Sequence, residues 1–106
     1  MANENRIHAV AFQHGEWWVA QCLEYDIATQ ARTLDDLLLE VERILFAHVV
    51  VAKKEGIEPF ASIPKAPKRF WQMYRTARTK LTPVEPARLP LPEGERPVVE
   101  VRAAAA

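Results

Sequence analysis

Five carboxylates fall close together in the first half of the chain, which is the composition that divalent-metal chemistry requires. They are Glu16, Glu24, Asp26, Asp35 and Asp36. Two-metal phosphodiester hydrolysis needs several such groups to converge on ions about 4 Å apart. The local pattern favours structural roles, because the first three lie at predicted turns and strand edges and the last two follow a helix-capping threonine. We therefore predict no catalytic residue and no metal site among them.

The three histidines and the single cysteine do not form a ligand or catalytic set either. His8, His14 and His48 lie on a predicted strand, turn and helix, with no partner at metal-binding spacing. Cys22 is predicted to be a small buried hydrophobe, and no nearby base marks it as a nucleophile. We predict a protein that is not an enzyme and uses no cofactor. One cysteine cannot form an internal disulfide, which fits a reducing cytoplasm.

A run of cations with interleaved aromatic side chains is the second chemically distinctive feature. The stretch KRFWQMYRTARTK, residues 68–80, contains no acid. This composition is that of a nucleic-acid contact, which would be made by Lys68, Arg69, Trp71, Arg75 and Arg78. The alternative is an amphipathic helix that neutralises the acidic first half. The zero net charge and the isoelectric point of about 6.8 favour this alternative.

The charge and the prolines divide the chain into two parts. Residues 1–62 hold ten acidic and five basic side chains, whereas residues 63–106 hold four acidic and nine basic. All eight prolines lie at or beyond Pro59. We predict a globular domain over residues 1–58 and a basic, proline-rich extension over residues 59–106 that packs on the same domain.

The overall composition is that of a soluble globular protein. Hydrophobic residues make up 49% of the 106 residues and charged residues 26%. No apolar run reaches the roughly 18 residues that a membrane span needs, and the N-terminus has no apolar signal core. We expect a cytoplasmic protein with no membrane segment.

Alternating strand formers predict three strands over residues 7–13, 16–23 and 27–32, joined as an antiparallel meander. His14-Gly15 is the predicted hairpin turn, since glycine supplies the positive φ of a tight turn. Trp17 and Trp18 are adjacent on one strand and must face opposite sides. At most one can lie under a helix, and the other must be covered by water, a partner or the extension.

A long helix is predicted over residues 34–54. Thr33 is the N-cap and Asp36 completes a capping box, while Gly56 suits the end of the helix. One apolar stripe at helical spacing should pack on the sheet; it comprises Leu34, Leu37, Leu38, Val41, Ile44, Leu45 and His48.

The same helix has a second apolar stripe, which comprises Leu39, Phe46, Val49 and Val50. It must meet either the extension or another subunit, and the pattern does not separate these alternatives. A homo-oligomer, a dimer or a tetramer, is therefore expected to use Trp17, Trp18, Leu39, Phe46 and Val50 at its interface, and the same residues could contact a different partner.

The extension is predicted to contain one helix over residues 68–81 with Pro67 as its first residue. Residues 83–97 are predicted to be extended, and residues 98–102 alternate like a short strand that could return to the meander. The predicted fold is thus α+β, with a three-stranded antiparallel meander covered by one long helix (β-β-β-α), followed by a basic helix and a short C-terminal strand.

The stretch EWWVAQCLEYDIATQARTLDDLLLEVERIL, residues 16–45, resembles the N-terminal domain of HicB-type antitoxins. The matching positions are Gly15, Trp17, Trp18, Ala20, Cys22, Leu23, Thr29, Gln30, Thr33 and Asp36. The resemblance covers about residues 7–54. It implies a partial ribonuclease-H-like fold without the full catalytic set, whose usual carboxylate in the first strand is absent from residues 7–13. It also implies a partner, a small basic endoribonuclease toxin (HicA-like) whose active site the domain masks.

The chain departs from the family pattern in three ways. Ala31-Arg32 stands where a glycine usually precedes the capping threonine, and the helix is richer in leucine and valine than in alanine. The extension has no helix-turn-helix or ribbon-helix-helix pattern for operator binding. Three hypotheses remain: an antitoxin-like protein that masks an RNA-cleaving toxin, a nucleic-acid-binding regulator that uses the basic helix, and an oligomeric scaffold without a toxin.

Overall fold

The chain folds around one mixed sheet of five strands, with a long helix on one face and a short helix on the other. A computed structural model describes residues 6–81 and 98–104. The elements in chain order are β1 (Arg6–His14), β2 (Trp17–Cys22), β3 (Ala28–Ala31), α1 (Leu34–Glu55), α2 (Lys68–Thr76), β4 (Thr79–Leu81) and β5 (Val98–Ala103). The α+β class and the long helix after three strands are confirmed. The predicted extended stretch 83–97 lies outside the described residues.

The predicted antiparallel meander is present as β1, β2 and β3. Its hairpin differs by one residue from the prediction, because His14 pairs with Trp17 and the turn is Gly15-Glu16 rather than His14-Gly15. Gly15 has φ +64°, a left-handed conformation that costs glycine little and other residues more. Glycine therefore permits the turn, as predicted, but it is the first of the two turn residues and not the second.

The meander is only part of the sheet, so the predicted number of three strands is wrong. β5 pairs in parallel with β1, and β4 pairs antiparallel with β5, which gives the order β3-β2-β1-β5-β4. In an isolated meander β1 would present a row of unpaired backbone groups. The C-terminal strand satisfies those groups and places β1 at the centre of the sheet.

The helix α1 begins and ends as predicted. The Thr33 hydroxyl oxygen accepts a hydrogen bond from the Asp36 backbone N–H at 3.1 Å. Gly56 adopts the left-handed conformation, and the Ile57 N–H donates to the Ala52 carbonyl at 3.0 Å, which completes a Schellman-type cap. These local signals set the length of the helix independently of the rest of the fold.

One face of α1 is buried against small residues of the sheet. Leu37 and Leu45 are fully buried there, opposite Ala9, Ala11 and Ala20, whose short side chains leave room for the helix. Val49 is also buried, so its assignment to the second stripe is wrong. At 100° per residue, position 49 falls beside positions 38, 45 and 52 and therefore faces the sheet.

The second helix ends at Thr76, and its predicted extension to residue 81 is wrong. Ala77 has the extended backbone angles φ −74° and ψ 132°. The Thr76 hydroxyl donates to the Met73 carbonyl at 3.2 Å and thereby satisfies an acceptor of the last turn. Residues 79–81 then pair with β5, so long-range strand pairing overrides a local helical spacing.

The helix α2 packs on the face of the sheet opposite α1. Tyr74 is buried with Val10 and Leu23, and the Phe70 and Phe12 rings stack with centroids 5.9 Å apart. Two backbone hydrogen bonds anchor the connection that leads into α2: Asp26 N–H to the Pro64 carbonyl at 2.7 Å, and Ala66 N–H to the Leu23 carbonyl at 2.9 Å.

Candidate functional site

The exposed sides of the two helices differ in charge, with carboxylates at the start of α1 and cations along α2. On the α1 side, Asp35 and Asp36 are exposed at the start of the helix, and the half-buried Glu40 and Glu42 follow on two different flanks. Glu40 accepts a hydrogen bond from Arg43 at 3.1 Å, and Arg43 is the only cation in the first two-thirds of the helix. The outer surface of the N-terminal part of α1 is therefore acidic.

The predicted interface residues of α1 lie beside this acidic surface. Leu39, Phe46 and Val50 share one flank of the helix and are half-buried within the chain. By helical spacing Glu42 lies one turn before Phe46, so the flank combines an apolar strip with a carboxylate. We call Leu39, Phe46 and Val50 the α1 flank.

The two adjacent tryptophans face opposite sides of the sheet, as predicted. Trp18 packs against the cluster beneath α1. Trp17 is on the other side, where the guanidinium carbon of Arg32 lies 4.4 Å from the centre of its ring. Arg32 also pairs with Glu16 at 3.3 Å. Both indoles are half-buried, and Trp17 is covered by an arginine from its own chain.

Three of the predicted nucleic-acid contacts, Lys68, Trp71 and Arg75, share one side of α2, and Arg78 follows the helix beside Arg75. Arg69 lies apart from them, with its guanidinium carbon 4.5 Å from the centre of the Phe70 ring. Lys68, Arg69, Arg75 and Arg78 are exposed, while Trp71 is half-buried. The Trp71 Nε1–H donates to the Ala66 carbonyl at 3.2 Å. This hydrogen bond fixes the orientation of the indole relative to the neighbouring cations.

Two grooves run along this surface and meet at Arg75. The first has a volume of about 610 Å³ and is lined by Lys65, Ala66, Lys68, Trp71, Gln72 and Arg75. The second has a volume of about 640 Å³ and is lined by Arg75, Thr76, Ala77, Arg78, Lys80 and Arg102. We call these the Trp71 groove and the Arg102 groove. Among residues 6–81 and 98–104, no carboxylate lines either one.

Arg102 is the basic-surface residue that sequence reasoning missed. It reaches the surface because β5 pairs in parallel with β1, with Arg102 opposite Val10 and on the α2 side. Its guanidinium carbon lies 4.5 Å from the centre of the Tyr74 ring. The only local signal was the alternation of residues 98–102, which does not reveal the neighbouring strand or the register.

The cations that line the grooves do not neutralise the acidic half in the part of the chain that the structure describes. Ion pairs there include Arg6 with Glu100, Arg32 with Glu16, and Arg43 with Glu40, and His8 contacts both Glu24 and Glu100. None of these pairs involves a residue between 65 and 80. The helix is held on the sheet by apolar and aromatic contacts, and its outer cations face solvent.

Comparison with protein-family models, with curated proteins and with solved structures finds no match to this chain. Its function must therefore be inferred from the chemistry of its own surfaces. Within residues 6–81 and 98–104, no helix is long and apolar enough to cross a membrane.

The carboxylates that first suggested metal chemistry are dispersed in the fold. Glu16 pairs with Arg32, Asp26 accepts a hydrogen bond from the Gln21 amide at 2.8 Å, and Asp35 and Asp36 begin α1. Across the two described ranges, no group of three or more histidine, cysteine or acidic residues is placed to hold a metal ion.

Glu24 instead forms a compact polar cluster with His8 in the middle of the α2 face. The Glu24 carboxylate accepts a hydrogen bond from the His8 backbone N–H at 2.8 Å, and its other oxygen lies 2.6 Å from His8 Nδ1. Glu100 lies 3.9 Å from His8 Nε2, and the Tyr74 ring meets the imidazole edge-on at 5.5 Å. The cluster connects β1, β5 and α2.

Burial suppresses the acid–base chemistry of two nearby groups. Burial, reinforced by the Glu24 charge, raises the pKa of the Cys22 thiol to about 12, so it stays protonated at neutral pH. Burial also raises the pKa of Tyr74, which Glu100 and Glu24 raise further and Arg102 lowers. Cys22 is only 2% exposed, which confirms it as a buried hydrophobe.

An apolar cleft lies between the second half of α1 and the connection after it. It has a volume of about 340 Å³ and includes His48, Val51, Ile57 and Phe60 in its lining. Val51 and Ile57 are more than half exposed. Phe60 has φ +66°, an unfavourable conformation for a non-glycine residue, and its ring stacks on Tyr25 at 4.5 Å.

Proposed function

We propose that this chain is a non-enzymatic, HicB-like regulatory protein that binds a small basic RNA-cleaving protein and masks its active surface. The observation that carries the proposal is the α1 flank, where half-buried apolar side chains adjoin the acidic outer surface of the same helix. The β-β-β-α order over residues 6–55 agrees with the arrangement that the HicB-like resemblance implies.

Charge supports a basic partner. Asp35, Asp36, Glu40 and Glu42 belong to the first nine residues of α1, against the single cation Arg43 at the next position. A protein that binds and cleaves RNA has to present cations to phosphates. Opposite potentials on the two proteins would accelerate their association and make its rate depend on ionic strength.

The apolar residues of the α1 flank supply the second requirement of a specific interface. Most binding free energy comes from a few large side chains that lose water on association. Phe46 is the largest side chain of the flank and is half-buried rather than fully buried, so part of its ring is available to a partner. Leu39 and Val50 extend the contact along the helix.

A non-catalytic role is consistent with the state of the reactive side chains. The Cys22 thiol is buried and protonated, and His8 is engaged by Glu24 and Glu100. A nucleophile needs an accessible position and an adjacent base. Masking requires neither, since a bound surface acts by excluding the RNA.

The test is a search of the neighbouring reading frames for a small basic protein, followed by co-expression of that protein with the chain. We expect the two proteins to co-purify and the growth arrest caused by the partner to be relieved. The variant Phe46→Glu should abolish both effects, because it places a charge in the apolar contact. Ala47→Glu is the matched control: it adds the same charge at the next, exposed position on the other flank of α1.

A thermal melt of each variant separates lost binding from lost folding. If Phe46→Glu has a lower melting temperature than the wild type, the double variant Asp35→Asn/Asp36→Asn is used for the binding test instead. That variant keeps the backbone N–H of residue 36 that Thr33 caps, and it should slow association and weaken its salt dependence. Equal binding by all variants would contradict the proposed surface, and failure of the wild type to bind would contradict the function.

The same flank could join two copies of this chain. Light scattering on the wild type and on Phe46→Glu measures this directly. A larger mass that falls to the monomer in Phe46→Glu, without binding to the basic protein, would identify an oligomeric scaffold instead.

A further inference from the structure

We propose that the basic surface of α2 binds single-stranded nucleic acid, with phosphates held in the two grooves and a base stacked on Trp71. This surface lies across the sheet from the α1 flank, so the inference goes beyond the proposed masking function and does not depend on it. It rests on the placement of the cations, the absence of carboxylates from the described lining of the grooves, and the fixed indole.

The cations are held on a rigid support. Phe70 and Tyr74 anchor α2 to β1 through the stacked contact with Phe12 and the edge-on contact with His8. With 1.5 Å of rise per residue, Lys68 and Arg75 are separated by about 10 Å along the helix axis. Their backbone positions are therefore set before a ligand arrives, which lowers the entropy cost of binding.

The grooves provide a continuous basic path that a flexible anion can follow. Six cations of the described ranges line them: Lys65, Lys68, Arg75, Arg78, Lys80 and Arg102. Arg75 belongs to both grooves and joins them. Because the described lining contains no carboxylate, the mutual repulsion of these cations is best relieved by a chain of phosphates, which also releases condensed counterions.

The cations between Lys65 and Lys80 are also not paired with carboxylates of the described ranges. No ion pair of these residues occurs within residues 6–81 and 98–104. Arg102 stays close to the Tyr74 ring, which orients its guanidinium without cancelling its charge.

Trp71 distinguishes a single strand from other polyanions. Its ring lines the first groove, and its Nε1–H is held by the Ala66 carbonyl. An indole in a basic groove is a stacking platform for an unpaired base, and stacking tolerates any base because each has a π-face. An acidic peptide gains nothing from this ring, and a duplex keeps its bases stacked inside.

The shape of the surface also favours a single strand over a duplex. A helix that reads a duplex has to enter the major groove. Here the Lys65–Ala66 backbone bounds one groove beside α2, and Lys80 and Arg102 bound the other. A narrow, flexible strand fits recesses of this kind better than a rigid duplex.

The experiment measures fluorescence anisotropy of labelled 12-nucleotide probes with the full chain at several salt concentrations. The probes are single-stranded RNA, single-stranded DNA of the same sequence, the corresponding duplex, and a polyglutamate peptide. We expect both single strands to bind, with affinity falling linearly in a log–log plot against salt. The ratio of the RNA and DNA affinities identifies the natural class of strand.

The variant Arg75→Gln/Arg78→Gln should weaken single-strand binding roughly tenfold and reduce the salt slope by about 1.4, since each phosphate contact contributes about 0.7. The matched control Arg43→Gln/Lys54→Gln removes two exposed cations from α1 and should change neither. Trp71→Leu should weaken binding about tenfold with an unchanged salt slope.

Absence of binding to either single strand at low salt would overturn the proposal. Equal affinity for the duplex or for polyglutamate would also overturn it, because the surface would then act only as a general cationic patch. Equal losses in the α1 and α2 double variants would show that net charge, and not this surface, controls binding. Because both arginines of the α2 variant are exposed, its folding is not expected to change.

Discussion

At the scale of single residues, one carboxylate explains how β1 is joined to its neighbours. Glu24 lies two residues after the end of β2 and makes two contacts with His8, one to the backbone N–H and one to the imidazole. Its side chain is only 26% exposed, so these contacts are partly shielded from water. A residue that first suggested metal chemistry is therefore best understood as a clamp between β1 and the connection after β2.

We predict that Glu24→Ala lowers the free energy of unfolding by about 1–3 kcal/mol, because it leaves the His8 N–H without its acceptor. Urea denaturation of the purified variant gives this value directly. Glu16→Ala is the matched control, since it also removes a paired glutamate but one that is 84% exposed. It should change stability by no more than about 0.5 kcal/mol. Similar losses in both variants would contradict the clamp.

At the scale of elements, β5 determines the architecture. It lies between β1 and β4 and converts a three-stranded meander into a five-stranded sheet. Its residues differ in burial: Val101 is buried in the core, whereas Val98 is 52% exposed. β5 also carries Glu100 to His8 and Arg102 to the basic surface, so both polar features of the α2 face depend on its register.

We predict that Val101→Ala lowers the free energy of unfolding by about 2 kcal/mol, because the lost methyl groups are buried in the core. Val98→Ala removes the same atoms from the same strand at an exposed position, and its effect should stay within about 0.5 kcal/mol. Chemical denaturation compares the two. If Val98→Ala is as damaging as Val101→Ala, then β5 does not lie in the register described here.

The elements that could be predicted are those whose signals are local. Thr33 caps α1 and Gly56 ends it, and alternation over residues 7–32 indicates the first three strands. The end of α2 at Thr76 could not be predicted, since it depends on Leu81 pairing with Val101, twenty residues further along the chain. Arg102 was missed for the same reason, because its place in the site follows from its pairing with Val10.

At the scale of the whole molecule, the sheet separates two surfaces of opposite charge. The α1 side offers carboxylates and an apolar flank, which suit a basic protein, and the α2 side offers paired grooves lined by cations, which suit phosphates. A protein that masks an RNA-cleaving partner on one face and holds a single strand on the other would bind two kinds of ligand on opposite sides of one rigid sheet. We expect the two surfaces to bind these ligands independently.

Backbone amide chemical-shift mapping of the labelled chain tests that claim most directly. Titration with the single-stranded probe should shift the amides of residues 65–80 and of Arg102, and leave those of residues 35–50 in place. Titration with the small basic protein should do the reverse, centred on Leu39, Phe46 and Val50. Shifts from both ligands on one face, or from the strand on the α1 flank, would contradict the account.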